Sequence, residues 1–438
     1  MTTVAFSLLA ILLAMFILGS YVAVALGLTA LLVGLIFVGD VWSFFGQIPW
    51  NVNSGSTLII VPLFILMGEL LLRSGVTDEL YEVLARLLAR VPGGLLHTNI
   101  LACGLFSSIS GSSVATASTI GAAAIPSMRK YGYDERLALG SLASGGTLGI
   151  LIPPSIIMIV YGLLAEVSIG QLYIAGVVPG LLMMVVFSLV ILVFAIVAPS
   201  KAPKLEKAVL LAVGTMRGLL VILPIIVLLG LVMGTIYMGI ATATEAAAFG
   251  ACGAFVVALA KRRVSWAMLK DAFSHTAATT GLIILILIGA FLLQFVLSMS
   301  GVPVALSKWT IGLGLSQLEL IALLCFIYLI LGMFLESLAM VVMTVPIVVP
   351  ILSAMGVDLV WFGIIVTIMV EVSLITPPVG MNLFVLQGVR SRLDQSSRAR
   401  PITDLYVGSL PFVIAMLAVL VVIIVWPGVA MHLVHAMK

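Results

Sequence analysis

The chain has 438 residues, is 63% hydrophobic and only 8% charged, and has a mean hydropathy of +1.35. Too little polar surface is available to cover a water-soluble globule of that length, so the sequence describes an all-α integral membrane protein, and its net charge of +3 reports orientation instead of an affinity for nucleic acid. No Gly-Lys dipeptide is present, which removes the phosphate-binding loop of ATPases, and no nucleophile–base constellation or metal cluster is legible, so neither an enzyme nor a nucleotide-driven pump is indicated.

The N-terminus, MTTVAFSLLAILLAMF, lacks a basic leader, and its apolar run continues to residue 39 with a break near Gly19 and Ser20. It reads as an uncleaved first span. Spans are expected near 4–18, 21–39, 58–73, 172–198, 211–234, 236–260, 276–299 and 405–427, most of them close to the roughly 20 residues that cross about 30 Å of hydrocarbon. Residues 77–91 read as a helix on the membrane interface, with Leu80, Leu84, Leu87 and Leu88 on one face. Residues 96–128 and 312–353 are expected to return to the side they came from, whereas 137–162 and 358–389 each cross once. All but Arg217, Lys308 and Lys438 of the 20 Lys and Arg residues then fall on one face. That face is the cytoplasmic one, and both termini lie opposite it. Loops are clearest at SKAPKLEK (200–207) and RSRLDQSSRAR (390–400).

Matching the chain against itself gives an internal repeat. Pro126, Gly132, Asp134, Pro153 and Pro154 meet Pro350, Gly356, Asp358, Pro377 and Pro378, each 224 residues later, and Ser74-Gly75-Val76 meets Ser300-Gly301-Val302. On this topology the copies enter the membrane from opposite sides. Inverted repeats supply inward-facing and outward-facing states of similar energy, the architecture of secondary transporters. The expected division is 1–57 as N-terminal scaffold helices, 58–198 as the first repeat, 199–275 as connecting helices, 276–427 as the second repeat and 428–438 as a C-terminal tail.

Within the first repeat, SSISGSSVATAS (107–118) is a polar run in apolar surroundings. Two helical arms meeting at a Ser/Gly tip make a re-entrant hairpin, whose tip must face protein or a water-filled cavity. The stretches SGGTLGILIPPSIIM (144–158) and MVEVSLITPPVGMNL (369–383) carry paired prolines, which remove two N–H donors and unwind a helix. Alone, a Ser/Gly/Ala run serves close helix packing and a proline pair a plain kink. Both elements in both repeats point instead to two related cation sites, built from freed carbonyls of the kind Na⁺ prefers.

Four carboxylates, Glu69, Glu245, Glu336 and Glu371, lie inside apolar segments, where ionisable groups are functional by default. Glu245 reads as structural, and the residues leave open whether Glu336 and Glu371 serve structure, protons or ions. Cys103, Cys252 and Cys325 read as small core residues, and His97, His275, His432 and His435 as interfacial residues at segment ends.

Together SISGSSVATASTIGAAAIPSMRKYGYD, LGILIPPSIIMIVYG, ATATEAAAFG and VSLITPPVGMNLFV resemble the large membrane subunit (DctM-type permease) of tripartite ATP-independent periplasmic (TRAP) transporters over nearly the whole chain. ATATEAA departs from the family, which commonly has Pro before the Thr-Glu. The resemblance implies a bacterial inner-membrane permease for Na⁺-driven uptake of organic acids such as C4-dicarboxylates or sialic acid. It further implies an elevator motion of the hairpin-bearing domain, a small four-helix membrane subunit, a periplasmic solute-binding protein, and no cofactor beyond Na⁺ as coupling ion. Carried over by motif, the first Na⁺ site would use Ser107, Ser110, Gly149, Ile152 and Pro154, and the second Gly332, Ser373, Thr376 and Val379. Substrate would meet Ser112, Ser113, Thr116 and Asn382 between the tips. A stand-alone ion-coupled carrier of carboxylates or anions is the alternative.

Overall fold

The computed structural model describes residues 2–39, 41–203, 215–394 and 401–437, and no strand occurs among them. Parts of the two expected basic loops, 204–207 and 395–400, the start of the expected 211–234 span, the Arg217 side chain and Lys438 lie outside that set.

Helices α1 (Thr2–Ile17), α2 (Val22–Phe37) and α3 (Trp42–Ser54) come first. The first repeat then runs through α4 (Ile60–Arg73), α5 (Val76–Leu88), α6 (Gly94–Ser110), α7 (Ser113–Lys130), α8 (Glu135–Leu151), α9 (Ile156–Leu164) and α10 (Ile169–Val197). Among the described residues α11 (Thr215–Tyr237) and α12 (Ala243–Ala260) then connect the repeats. The same order then recurs in α13 (Trp266–Met299), α14 (Val302–Gly312), α15 (Gln317–Gly332), α16 (Ser337–Ala354), α17 (Leu359–Leu374), α18 (Met381–Leu393) and α19 (Thr403–Val425). Helices α6 and α7 form one re-entrant hairpin and α15 and α16 the other; α8–α9 and α17–α18 are the interrupted helices.

Local chemistry explains why the offset residues recur. Gly75 and Gly301 both have positive φ and stand immediately before α5 and α14, while Gly132 and Gly356 turn the chain at φ 71° and 72°. Asp134 and Asp358 then cap the interrupted helices: Asp134 accepts from the Leu137 N–H, and Asp358 from those of Val360 and Trp361. Each cap satisfies donors that the first helical turn leaves open. Both proline pairs interrupt their helices, α8 and α9 being bent by 41° across theirs.

Lipid-facing and packed faces separate cleanly along the longest helices. On α10, Met183, Phe187 and Ile191 are fully buried, while Leu181, Val185, Leu189 and Val193 are exposed at four-residue spacing on the opposite side. Without a bilayer that apolar stripe would face water, and burying it is the term that holds the helix upright.

Several expectations change in the fold. The stretch 428–438, expected as a tail, contains helix α20 (Gly428–His435), which buries Ala430 and Met431. Residues 42–54 form a helix outside the expected spans, with Trp42 and Trp50 exposed. Of the four leucines on α5, Leu80 and Leu84 are buried, yet Leu87 is 42% exposed. Cys252 is exposed instead of core, because the small-residue face of α12 used for packing holds Gly250, Ala251 and Ala254. His275 sits inside α13, not at its end, and its Nδ1 lies 2.9 Å from Glu69, which also holds Arg73. Glu69 thereby ties α4 to α13, the leading helices of the two repeats.

Candidate functional site: two hairpin tips against two helix breaks

Most of the polar run 107–118 is helical, and only Gly111 and Ser112 leave the helix. Helix α6 stops at Ser110 because Gly111 adopts a left-handed conformation (φ 58°), from which its N–H donates to the Ser107 carbonyl at 2.9 Å. An L side chain rarely adopts that backbone, so glycine suits the position. Ser112 then opens α7, its Oγ accepting from the Ala115 N–H. Most hydroxyls of the run serve the hairpin itself. Ser107 donates to the Gly104 carbonyl at 2.8 Å, Thr116 to the Ser112 carbonyl at 2.8 Å, and the Ser110 and Thr116 hydroxyls are 2.9 Å apart.

The tip lies directly on the first break. A Cβ added at Gly111 would sit 3.0 Å from the Pro154 carbonyl oxygen, and one added at Gly149 would sit 3.0 Å from the Ser112 backbone. Ser113 Oγ donates to the Thr147 carbonyl at 3.3 Å. Ser107, Ser110, Gly149 and Pro154 are thus brought to one place, whereas the Ile152 side chain turns away to pack on Gly104 and Gly180. Among the described residues, the carbonyls of Ile152, Pro153 and Pro154 accept no hydrogen bond. The Tyr173 hydroxyl is buried without a partner and lies toward the Ser155 backbone. No feature of the sequence marked it.

At the second site α15 ends at Gly332, which is packed tightly against the Ser373 side chain. Ser373 and, from the break, Thr376 each donate at 2.6 Å, to the Val370 and Val372 carbonyls of α17. Two carbonyls of this break are already occupied: Tyr406 OH donates to Pro378 at 2.7 Å, and Ser409 Oγ to Ile375 at 3.4 Å. Val379 projects outward at 40% exposure.

A cavity of about 160 Å³ separates the tips, lined by Ser112, Ser113 and Val114 from the first tip and Glu336, Ser337 and Leu338 from the second. Thr279, Leu282 and Ile283 of α13 close it, three residues that the repeat pattern had no means of flagging. Thr116 and Asn382 lie off this cavity. Asn382 is fully buried, its Nδ2 donating to the Ala143 carbonyl at 3.4 Å while its Oδ1 has no partner.

The remaining carboxylates divide. Glu245 forms a capping box with Thr242 at the start of α12, a structural role. Glu371 is fully buried on α17, and neither oxygen has a hydrogen bond of ordinary geometry, although the carboxyl approaches the Leu151 backbone at the first break.

A wholly separate polar cluster ties the repeats together. Arg390, 1% exposed, contacts Glu135 and Asp404 at 3.2 Å each; Arg129 reaches Glu135 and Asp394, and Arg136 reaches Asp404. Guanidinium groups that each bridge or share carboxylates in this way fix the ends of α7, α8, α18 and α19 in one register.

The family model for the tripartite ATP-independent periplasmic transporter, DctM component, matches residues 9–429. The chain is 34% identical over 414 residues to the C4-dicarboxylate TRAP transporter large permease protein DctM of Pseudomonas aeruginosa, covering 93% of each. It is 31% identical to the sialic acid TRAP transporter large permease protein SiaM of Vibrio cholerae, over 85% of this chain and 84% of that one. Among solved structures, the Alcanivorax borkumensis YdaH transporter aligns over 90% of each chain with a TM-score of 0.65 at 16% identity, a likeness of fold. With a family model spanning nearly its whole length and permeases of the same length above 30% identity, the chain belongs to the DctM components, the large permeases, of the TRAP transporters.

Proposed function

We propose that this permease is the membrane component of a Na⁺-coupled, binding-protein-dependent importer of organic acids in a bacterial inner membrane, with both termini periplasmic. It works with a small four-helix membrane subunit and a periplasmic solute-binding protein that delivers the substrate. The observation that carries this reading is the pairing of each hairpin tip with a proline-broken helix, in two copies of opposite orientation. Peptide oxygens held at membrane depth without N–H partners are hard ligands for a small cation. The first Na⁺ would sit among Ser107, Ser110, Gly149 and the carbonyls of Ile152 and Pro154. The second would sit among Gly332, Ser373, Thr376 and Val379.

The substrate would occupy the cavity between the tips. Both hairpins and the interrupted helices, with the Arg390 cluster tying the first hairpin to them, would travel as one body against α4 and α13, an elevator motion. Reconstituted vesicles holding both membrane subunits test this. Uptake of the delivered acid should collapse without a Na⁺ gradient and without the binding protein. Uptake indifferent to either overturns the reading. In a Na⁺ titration, Ser107→Ala, Ser110→Ala and Thr376→Ala should each shift the half-saturating Na⁺ concentration upward.

A further inference from the structure

Glu371 is fully buried on α17, and among the described residues its carboxyl has neither an ion pair nor a hydrogen bond of ordinary geometry. An ionised carboxylate is carried inside a membrane only where a cation or several donors meet it. The carboxyl lies against the backbone of Leu151, the last residue of α8, so it stands beside the first break although it belongs to the second repeat. From α10 the Tyr173 hydroxyl, also fully buried and unpartnered, lies toward the Ser155 backbone at the other end of that break. Between the two, the Ile152, Pro153 and Pro154 carbonyls accept no hydrogen bond among the described residues. Unpaired side-chain oxygens from two helices thus gather with unpaired peptide oxygens on residues 151–155. Such atoms are rare in native interiors, and a bound ion or water accounts for them where they cluster. Apart from the tyrosine proton every member is an acceptor, which a cation satisfies.

The two copies differ here. At the 224-residue offset the counterpart of Glu371 is Thr147, a neutral residue whose hydroxyl already donates to the Ser144 carbonyl at 2.7 Å. The carboxylate of the second tip, Glu336, is solvent-exposed and engaged by the Ala339 N–H, so water and salt screen it as they cannot screen Glu371. A buried negative charge beside the first break attracts a cation there far more strongly than an exposed one does at the second.

We propose that Glu371 is the counter-charge of the Na⁺ held at the first break, supplied across the molecule by the second repeat, and that the first site is in consequence the tighter of the two. One side chain then links the sites, since Ser373 of the second stands two residues further along the same helix. The proposal rests on the reading of both breaks as Na⁺ sites, and it adds the charge that makes them unequal.

The test is equilibrium binding of radiolabelled Na⁺ to the purified permease with its small membrane subunit, beside thermal unfolding with choline in place of Na⁺. The native complex should show two classes of site that differ at least about tenfold in affinity. Glu371→Gln, which keeps the shape without the charge, should weaken the tighter class by about tenfold or more and leave the other unchanged. Its unfolding temperature in choline should match or exceed the native one, which separates lost Na⁺ affinity from lost fold. Glu371→Asp keeps the charge on a shorter stem and should restore most of the affinity. Two native classes of equal affinity, a Gln variant that binds as the native does, or an Asp variant as weak as the Gln variant overturns the proposal and leaves the Na⁺ reading standing. A Gln variant that fails to fold shows a structural role and does the same. If the native complex binds no Na⁺, that reading falls and the proposal with it.

Discussion

The two helix breaks share a proline pair and a hairpin tip, yet they satisfy their peptide oxygens differently. At the first, the Ile152, Pro153 and Pro154 carbonyls have no donor among the described residues, and the tip opposite presents mostly backbone and hydroxyls. At the second, α19 reaches over with Tyr406 and Ser409 to occupy the Pro378 and Ile375 carbonyls. The same motif thus yields a bare cradle in one copy and a partly filled one in the other. Sequence repetition fixes where the backbone opens; the neighbouring helix decides how much of that opening is available to an ion.

The largest effect should come from separating the two copies. Arg390→Met leaves Glu135 and Asp404 with one guanidinium each, from Arg129 and Arg136. We expect a loss of about 3 kcal/mol, the low end for removing one partner of a buried ion pair because both carboxylates keep a cation; the midpoint of thermal unfolding of the purified complex reads it.

Filling the close approaches comes next. Gly149→Ala meets backbone atoms of Ser112 and Ser113, which cannot turn aside, and should cost about 2 kcal/mol together with Na⁺ affinity. Gly332→Ala meets the Ser373 side chain. A serine can change rotamer where a peptide group cannot, yet here that shift would move a proposed ligand, so the second site should lose Na⁺ affinity at a smaller stability loss. Stability and Na⁺ titrations of the two variants, taken side by side, would refute the comparison if Gly332→Ala proved the more unstable.

A smaller difference is expected at the caps. Asp358 serves two N–H groups and Asp134 one. Asp358→Ala should cost about 1.5 kcal/mol and Asp134→Ala about 1 kcal/mol, in paired unfolding measurements. Least of all, Tyr406→Phe removes the donor on Pro378 and makes the second break resemble the first. Na⁺ affinity should rise by roughly twofold to fivefold, the worth of about one ordinary hydrogen bond or less; a fall in affinity would mean that the tyrosine holds the break in its binding shape.

Much of this was legible because the signals are local. A proline pair breaks a helix wherever it sits, an Asp two residues after a turning glycine caps the next helix, and a charge-poor apolar run spans a bilayer. Glu245 was readable as structural for the same reason, its partner Thr242 being three residues away. Legibility failed for contacts between distant segments. Asn382 meets Ala143 239 positions away, and Arg390 meets Glu135 at a separation of 255. No periodicity relates those pairs, so Asn382 was expected between the tips but lies off that cavity, on the Ala143 carbonyl, and the charge cluster was seen only as loop basicity.

By itself, then, the sequence determined a helical membrane protein of two opposed copies, with two interruptions and two polar tips, since turns, caps and breaks follow from each residue's own backbone chemistry and its near neighbours. Tertiary structure alone decided that most tip hydroxyls turn inward onto their own hairpin and that α13 closes the space between the tips. It also decided that α19 covers one break and leaves the other bare. Those outcomes depend on which helix faces lie together, and apolar faces built from Leu, Val, Ile and Ala are too alike along this chain for composition to specify the pairing.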